Sequence, residues 1–243
     1  MSRTLLLGLL IAVVAAGGAA YYYTKNGMGV GPAPAVVGTV GPLKDPFGDR
    51  MDPKNEGEQH YRQGRYPEAI QYWTGAAAKG DVPAAHRLGV EYMDGKPGVV
   101  QRDYDKARNY HLQAARGGDP LSMFDLGTMY EFGQGVEKDL AKAARWYGHS
   151  ANYGLAQGQY NFATMLEAGD GIAKDEIEAY KFFVLAARNG FTGVPYNRGN
   201  YMIDKAAPTP AEALGRRLSE AQMNEGRARA DAFKALSGQL QGE

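Results

Sequence analysis

The chain has no cysteine in its 243 residues, which excludes disulfides and thiolate metal sites. It lacks a surplus of either charge. Its 27 Lys and Arg balance 27 Asp and Glu, whereas nucleic-acid binders carry a basic face or stripe, so nucleic acid is not expected as a partner. Serine is scarce. Ser2, Ser122, Ser150, Ser219 and Ser237 begin no S-x-x-K and stand in no G-x-S-x-G. Histidine is limited to His60, His86, His111 and His149, with no H-E-x-x-H. The carboxylates are numerous but form no identifiable acid–base pair. No catalytic residue, cofactor or metal ligand is therefore expected.

One stretch lacks charge altogether. Between Arg3 and Lys25 there is no charged residue, and Leu5 to Tyr23 is long enough to cross a bilayer as a helix. Tyr21, Tyr22 and Tyr23 would then lie at the headgroups. The competing reading is a cleaved signal peptide, with Leu5 to Val14 as its apolar centre and Gly18-Ala19-Ala20 as a small-residue cleavage site. Residues 1–25 are thus expected to be a membrane anchor or signal helix, touching the membrane through residues 4–23 if retained. In a bacterial-type envelope either reading makes the body of the protein inner-membrane anchored and periplasmic, or free in the periplasm or secreted. Residues 26–55 are Gly- and Pro-rich without sustained apolar period and read as a flexible linker. Asp45, Asp49 and Asp52 lack the spacing and glycine turn of a calcium loop.

What is present is a repeat. "EAIQYWTGAAAKG" (68–80), "KARNYHLQAARGG" (106–118), "KAARWYGHSANYG" (142–154) and "EAYKFFVLAARNG" (178–190) superpose without gaps. Ala69, Ala107, Ala143 and Ala179 lead them, and Gly80, Gly118, Gly154 and Gly190 close them. The matching offsets of 0, 3, 7, 8 and 11 lie on one face of an α-helix, and the closing Gly suits its C-cap. Nine residues on comes a small residue: Gly89, Gly127, Ala163 and Gly199. It sits inside a second helical period. Loops such as "GQGVEKD" (133–139) then lead to the next long helix, with Asp103, Asp139 and Asp175 placed as N-caps.

A single helix pair of this kind cannot bury its apolar stripe, whereas stacked pairs bury a continuous core. Small residues such as Gly127 let helices approach closely, and large aromatics fill the remaining gaps. His111 stands at the repeat position of Trp73, Tyr147 and Phe183. It is expected to replace an aromatic at a helix contact rather than to bind a metal.

"LGTMYEFGQGVEKDLAKAARWYGHSANYG" resembles the Sel-1-like repeat family, a relative of the tetratricopeptide arrays. The resemblance covers about residues 58–205. It implies an all-α, right-handed solenoid of helix-turn-helix repeats over residues 56–205. C-terminal capping helices would follow over 206–243, where Ser219 and Gln222 have capping-box spacing. Family members often act as scaffolds, so the resemblance implies a non-enzymatic adaptor that binds another protein or peptide on its curved face. The alternative is binding or hydrolysis of cell-wall-derived or β-lactam-like small molecules, which a convergent cluster of His and carboxylates in a closed pocket would favour.

Partner contact is expected on the face of the first helices that changes from repeat to repeat. It holds Arg87, Val90 and Asp94; Asp125, Thr128 and Phe132; Asn161, Thr164 and Ala168; Asn197, Asn200 and Asp204. Phe132 stands out, because its equivalents are polar or small. A chain that begins at Glu56 is expected to be soluble and strongly helical by circular dichroism. Aggregation would place the boundary elsewhere.

Overall fold

The computed structural model describes residues 11–14, 20–24, 27–29, 55–191 and 208–240. These fall into two compact units, one holding three short strands and one holding all the helices.

The strands β1 (Ile11–Val14), β2 (Ala20–Thr24) and β3 (Gly27–Gly29) form an antiparallel sheet in that order. Ile11 pairs with Tyr23, Val14 with Ala20, and Tyr22 with Gly29. At its described positions, 11–14 and 20–23, this corrects the helix expected over residues 5–23, the rest of which lies outside the described residues. Ile11, Val13, Val14 and the three tyrosines are β-branched or aromatic and favour a pleated surface. Gly17 and Gly18 each disfavour a continuous helix by ~1 kcal/mol relative to Ala. No helix among the described residues is long and apolar enough to cross a membrane. Most of the expected linker, and Asn197, Arg198, Asn200 and Asp204, lie outside the described residues.

The helical unit is a series of antiparallel pairs. They are α1 (Glu56–Arg62) with α2 (Tyr66–Ala77), α3 (Val82–Asp94) with α4 (Tyr104–Arg116), α5 (Pro120–Phe132) with α6 (Leu140–Asn152), and α7 (Ala156–Ala168) with α8 (Glu176–Arg188). Each second helix also packs on the first helix of the next pair.

The caps follow the sequence. Asp103, Asp139 and Asp175 accept backbone N–H groups from the first turns of α4, α6 and α8, which satisfies donors that a helix start leaves free. The same loop bond recurs three times: the N–H groups of Asp103, Asp139 and Asp175 donate to the carbonyls of Tyr92, Tyr130 and Leu166. At the end of α5 the chain turns through Gly133 at φ 70°, a left-handed conformation that a side chain would disfavour.

The array closes with α9 (Pro210–Gly215) and α10 (Glu220–Asp231), both started by complete capping boxes at Thr209 and Ser219. α10 lies on α8. Leu214, Leu218 and Ala230 join Phe182, Phe183 and Tyr180 in one core cluster. The tail then runs back along the array. The N–H of Leu236 donates to the Asn152 carbonyl at 2.8 Å, and that of Leu240 to the Arg116 carbonyl at 3.0 Å. Two second helices thereby gain partners for carbonyls that a helix end leaves free.

Inside each of the first three pairs a large ring rests on a glycine. A Cβ added at Gly127 would come within 2.6 Å of the Tyr147 ring, and one at Gly89 within 2.6 Å of the His111 ring. Gly57 meets Trp73 in the same way. Gly75, on the exposed side of α2, offers the contrast, because a Cβ there meets nothing within 4 Å. Gly75→Ala should raise stability by up to ~1 kcal/mol through helix propensity. Gly127→Ala should lower it by ~1–3 kcal/mol, because overpacking outweighs the same gain. Denaturant midpoints that shift in the same direction would show that Gly127 is not a close contact.

Candidate functional site

The residues expected to form a binding face divide into three groups. Arg87, Asp125 and Asn161 occupy one repeat position, two residues before the small residue. Each addresses the ring of the preceding pair. The Arg87 guanidinium lies 4.9 Å from the Trp73 ring and 4.7 Å from that of Tyr61, while its Nε donates to Glu58 Oε1 at 3.0 Å. Asp125 Oδ2 is 3.6 Å from His111 Nδ1. Asn161 hydrogen-bonds the Tyr147 side chain. These residues vary because the ring varies: a cation faces indole, a carboxylate faces imidazole and an amide faces phenol. They were expected on a partner-contact face that changes from repeat to repeat, and the matched rings give them a structural task as well.

A second group is also tied to the interior. Val90 is buried. Thr128 is half-buried, with its hydroxyl 3.2 Å from both the Phe124 carbonyl and the Tyr147 hydroxyl. A partner-contact position was expected there, and the hydrogen bonds to α5 and α6 tie it to the interior instead. The Tyr147 hydroxyl donates to Glu131 Oε2 at 2.7 Å. Burial first, and then the Glu131 charge, push its pKa well above the ordinary value.

Three positions remain open to solvent. Phe132, at the end of α5, is 55% exposed. Thr164 and Ala168 on α7 are exposed as well, and the Thr164 hydroxyl donates to the Tyr160 carbonyl.

The structure also assembles a group that the sequence did not signal as a unit. His86, His111 and Asp125 come from α3, α4 and α5, and their ligand-type atoms all lie within 4.8 Å of one another. His86 Nε2 is 3.3 Å from Asp125 Oδ2. His111 is completely buried, and its Nδ1 sits 3.3 Å from Ser122 Oγ. Burial lowers the His111 pKa to about 4, against the opposing pull of Asp125. Its ring is therefore neutral at pH 7, and its contact with Asp125 joins a dipole to a charge. His111 does take the ring position expected of it. His86 was missed, although one signal was available: the equivalent positions in later repeats are Phe124 and Tyr160. A cleft of about 280 Å³ lined by Tyr92, Val100, Arg102 and Lys106 shares no residue with this cluster.

The Sel1 repeat family model matches residues 82–119, 120–152 and 149–191. A crystal structure of a Sel1 repeat protein from Oxalobacter formigenes is similar at 27% identity and a TM-score of 0.53, covering 56% of this chain and 55% of that one. Helicobacter pylori cysteine rich protein B is 28% identical at a TM-score of 0.41, over 51% of this chain and 86% of its own. The chitin synthase regulator SKT5 of Saccharomyces cerevisiae is 36% identical over 69 residues. That match spans 28% of this chain but only 10% of the yeast protein. Sel1 repeats are in general non-catalytic modules of protein–protein interaction.

Asp94 carries a charge penalty. Desolvation, then the charges of Asp125 and Glu91, push its pKa up to about 6 against the relief from Arg102. It also ends α3, where the helix dipole disfavours an anion. A carboxyl raised from 3.8 to about 6 on folding binds its proton more tightly in the folded state. Its contribution is fully present below pH 3.8 and is lost as pH rises through 6. Asp94→Asn should therefore stabilise the protein at pH 7.5, by on the order of 1 kcal/mol after solvent screening. The advantage should fade towards pH 4. A thermal midpoint unchanged at pH 7.5 would remove the proposed penalty.

Proposed function

We propose that this chain, a Sel1 repeat protein through residues 82–191, is a non-enzymatic adaptor that binds a partner protein along the first helices of its repeats. The observation that carries the reading is Phe132. It is a large aromatic left 55% exposed at the end of α5, in an array whose Trp73, His111 and Tyr147 rings each rest on a glycine. Exposed aromatics of this kind are frequent interface hot spots. Thr164 and Ala168 continue the open surface on α7.

We also propose that the array works in the cell envelope. The support is the uncharged stretch between Arg3 and Lys25, whose composition suits an export segment, retained or cleaved.

The second reading, action on a cell-wall-derived small molecule, draws on the His86, His111 and Asp125 cluster. Two of its members are buried and the Asp125 side chain is only 18% exposed. The 280 Å³ cleft does not reach it. A small substrate would therefore need the helices to part, which favours the adaptor.

Photo-crosslinking from position 132 in the native cell should capture a discrete partner, and fractionation of the same cells gives the compartment. Phe132→Ala combined with Thr164→Lys should weaken binding of that partner by ~1–3 kcal/mol with no shift in thermal midpoint. Undiminished binding by the folded double variant would move the site off this face.

A further inference from the structure

Each pair after the first carries two rings in contact. In α5 and α6 they are Phe124 and Tyr147, with centroids 5.5 Å apart. In α7 and α8 they are Tyr160 and Phe183, at 5.7 Å. In α3 and α4 the same two positions hold His86 and His111, again at 5.7 Å. The residue that addresses the ring from the next pair is Asn161 for Tyr147 but Asp125 for His111. Three equivalent positions thus change together, from ring, ring and amide to imidazole, imidazole and carboxylate. Packing alone explains one imidazole in place of an aromatic. Ring matching also explains Asp125 opposite His111, but neither gives a reason for the second imidazole at His86, which brings a third ligand-type atom to the same point.

We propose that His86 Nε2, His111 Nδ1 and Asp125 Oδ2 form a site for a divalent transition-metal cation of the zinc class. The site joins the second repeat to the third. Two imidazoles and one carboxylate match the borderline-soft N and O preference of such ions and leave one coordination position open. Ligand atoms at ~2.0–2.2 Å from a tetrahedral ion lie ~3.3–3.6 Å apart. Asp125 Oδ2 already stands 3.3 Å from His86 Nε2 and 3.6 Å from His111 Nδ1. Ligand-type atoms of the two histidines lie within 4.8 Å. Ser122 Oγ, 3.3 Å from His111 Nδ1, shares that ring nitrogen in the metal-free state. The reading is independent of any partner on the exposed face, because the three ligands lie beneath it.

The test uses the full chain, freed of metal by chelator and dialysis, with Zn2+ titrated calorimetrically and Co2+ followed by its visible absorption. One equivalent should bind, and Zn2+ should raise the thermal midpoint by mass action on the folded state. The informative variants give this junction the residues of the next one, Phe124, Tyr147 and Asn161: His86→Phe, His111→Tyr and Asp125→Asn, singly and together. Each replacement already packs at the equivalent place in this fold, so the variants should remain helical. Each single change should weaken Zn2+ binding by roughly tenfold or more, and the triple variant should lose both the Co2+ spectrum and the Zn2+-dependent midpoint shift. Absence of saturable Zn2+ and Co2+ binding by the unaltered chain would overturn the proposal. So would binding that survives in the folded triple variant, which would place the ion at other residues.

Discussion

Everything else in the helical unit depends on one contact, a large ring seated on a residue with little or no side chain. Trp73 on Gly57, His111 on Gly89 and Tyr147 on Gly127 repeat it in successive pairs, and Phe183 with Ala163 shares the last cluster of the core. The contact sets how closely the two helices of a pair approach. It also accounts for glycine inside a helix, where propensity alone opposes it by ~1 kcal/mol. Burying a large side chain contributes ~1.5–3 kcal/mol, so the exchange is favourable once the neighbouring helix supplies the ring.

The same contact transmits information from one repeat to the next. A ring lying across a pair presents its far edge to the first helix of the following pair, and the residue met there must suit that edge. Indole takes Arg87, imidazole takes Asp125 and phenol takes Asn161. A repeat protein with one conserved backbone spacing thereby gains a different polar junction at each interface. The sequence shows these positions as variable, and variability is the expected mark of a binding surface. Here it is the mark of matching, since each residue changes with its partner. The surface left free for a partner is correspondingly narrower, centred on Phe132 and the exposed side of α7.

The ends of the array use different chemistry from its middle. At the C-terminal end, α10 covers the rings of the last pair, and a Cβ at Gly226 would lie within 2.8 Å of the Tyr180 ring. Arg229 pairs with Glu178, and Arg188 with Asp231, across the same boundary. A terminal repeat has no neighbour to complete its core, and a polar outer helix supplies that cover. The backbone of the tail adds hydrogen bonds to α6 and α4 through Leu236 and Leu240. It links repeats that the helices alone join only to their neighbours.

The amino-acid sequence by itself determined the repeat, its period, the alternation of its two helices, the capping aspartates and the C-terminal capping box at Ser219. These follow from spacing along one chain, which the 3.6-residue period converts directly into a helix face. The second helix of a pair, however, is no longer than the first, both having 13 residues from α3 to α8. Near the N-terminus composition misled. An uncharged stretch long enough for a helix carries β-branched and aromatic residues that pair as strands, and hydropathy does not distinguish the two. Only the tertiary structure decided which face of the first helices is free. His86, His111 and Asp125 lie on three helices, up to 39 positions apart in the chain, and no periodicity relates residues that meet across a packed interface. Thr128 likewise looked like a surface residue until the Tyr147 hydroxyl was placed beside it. A helical period fixes the direction in which a side chain leaves its own helix, whereas its partner depends on the next helix, and that is settled only when the pairs stack.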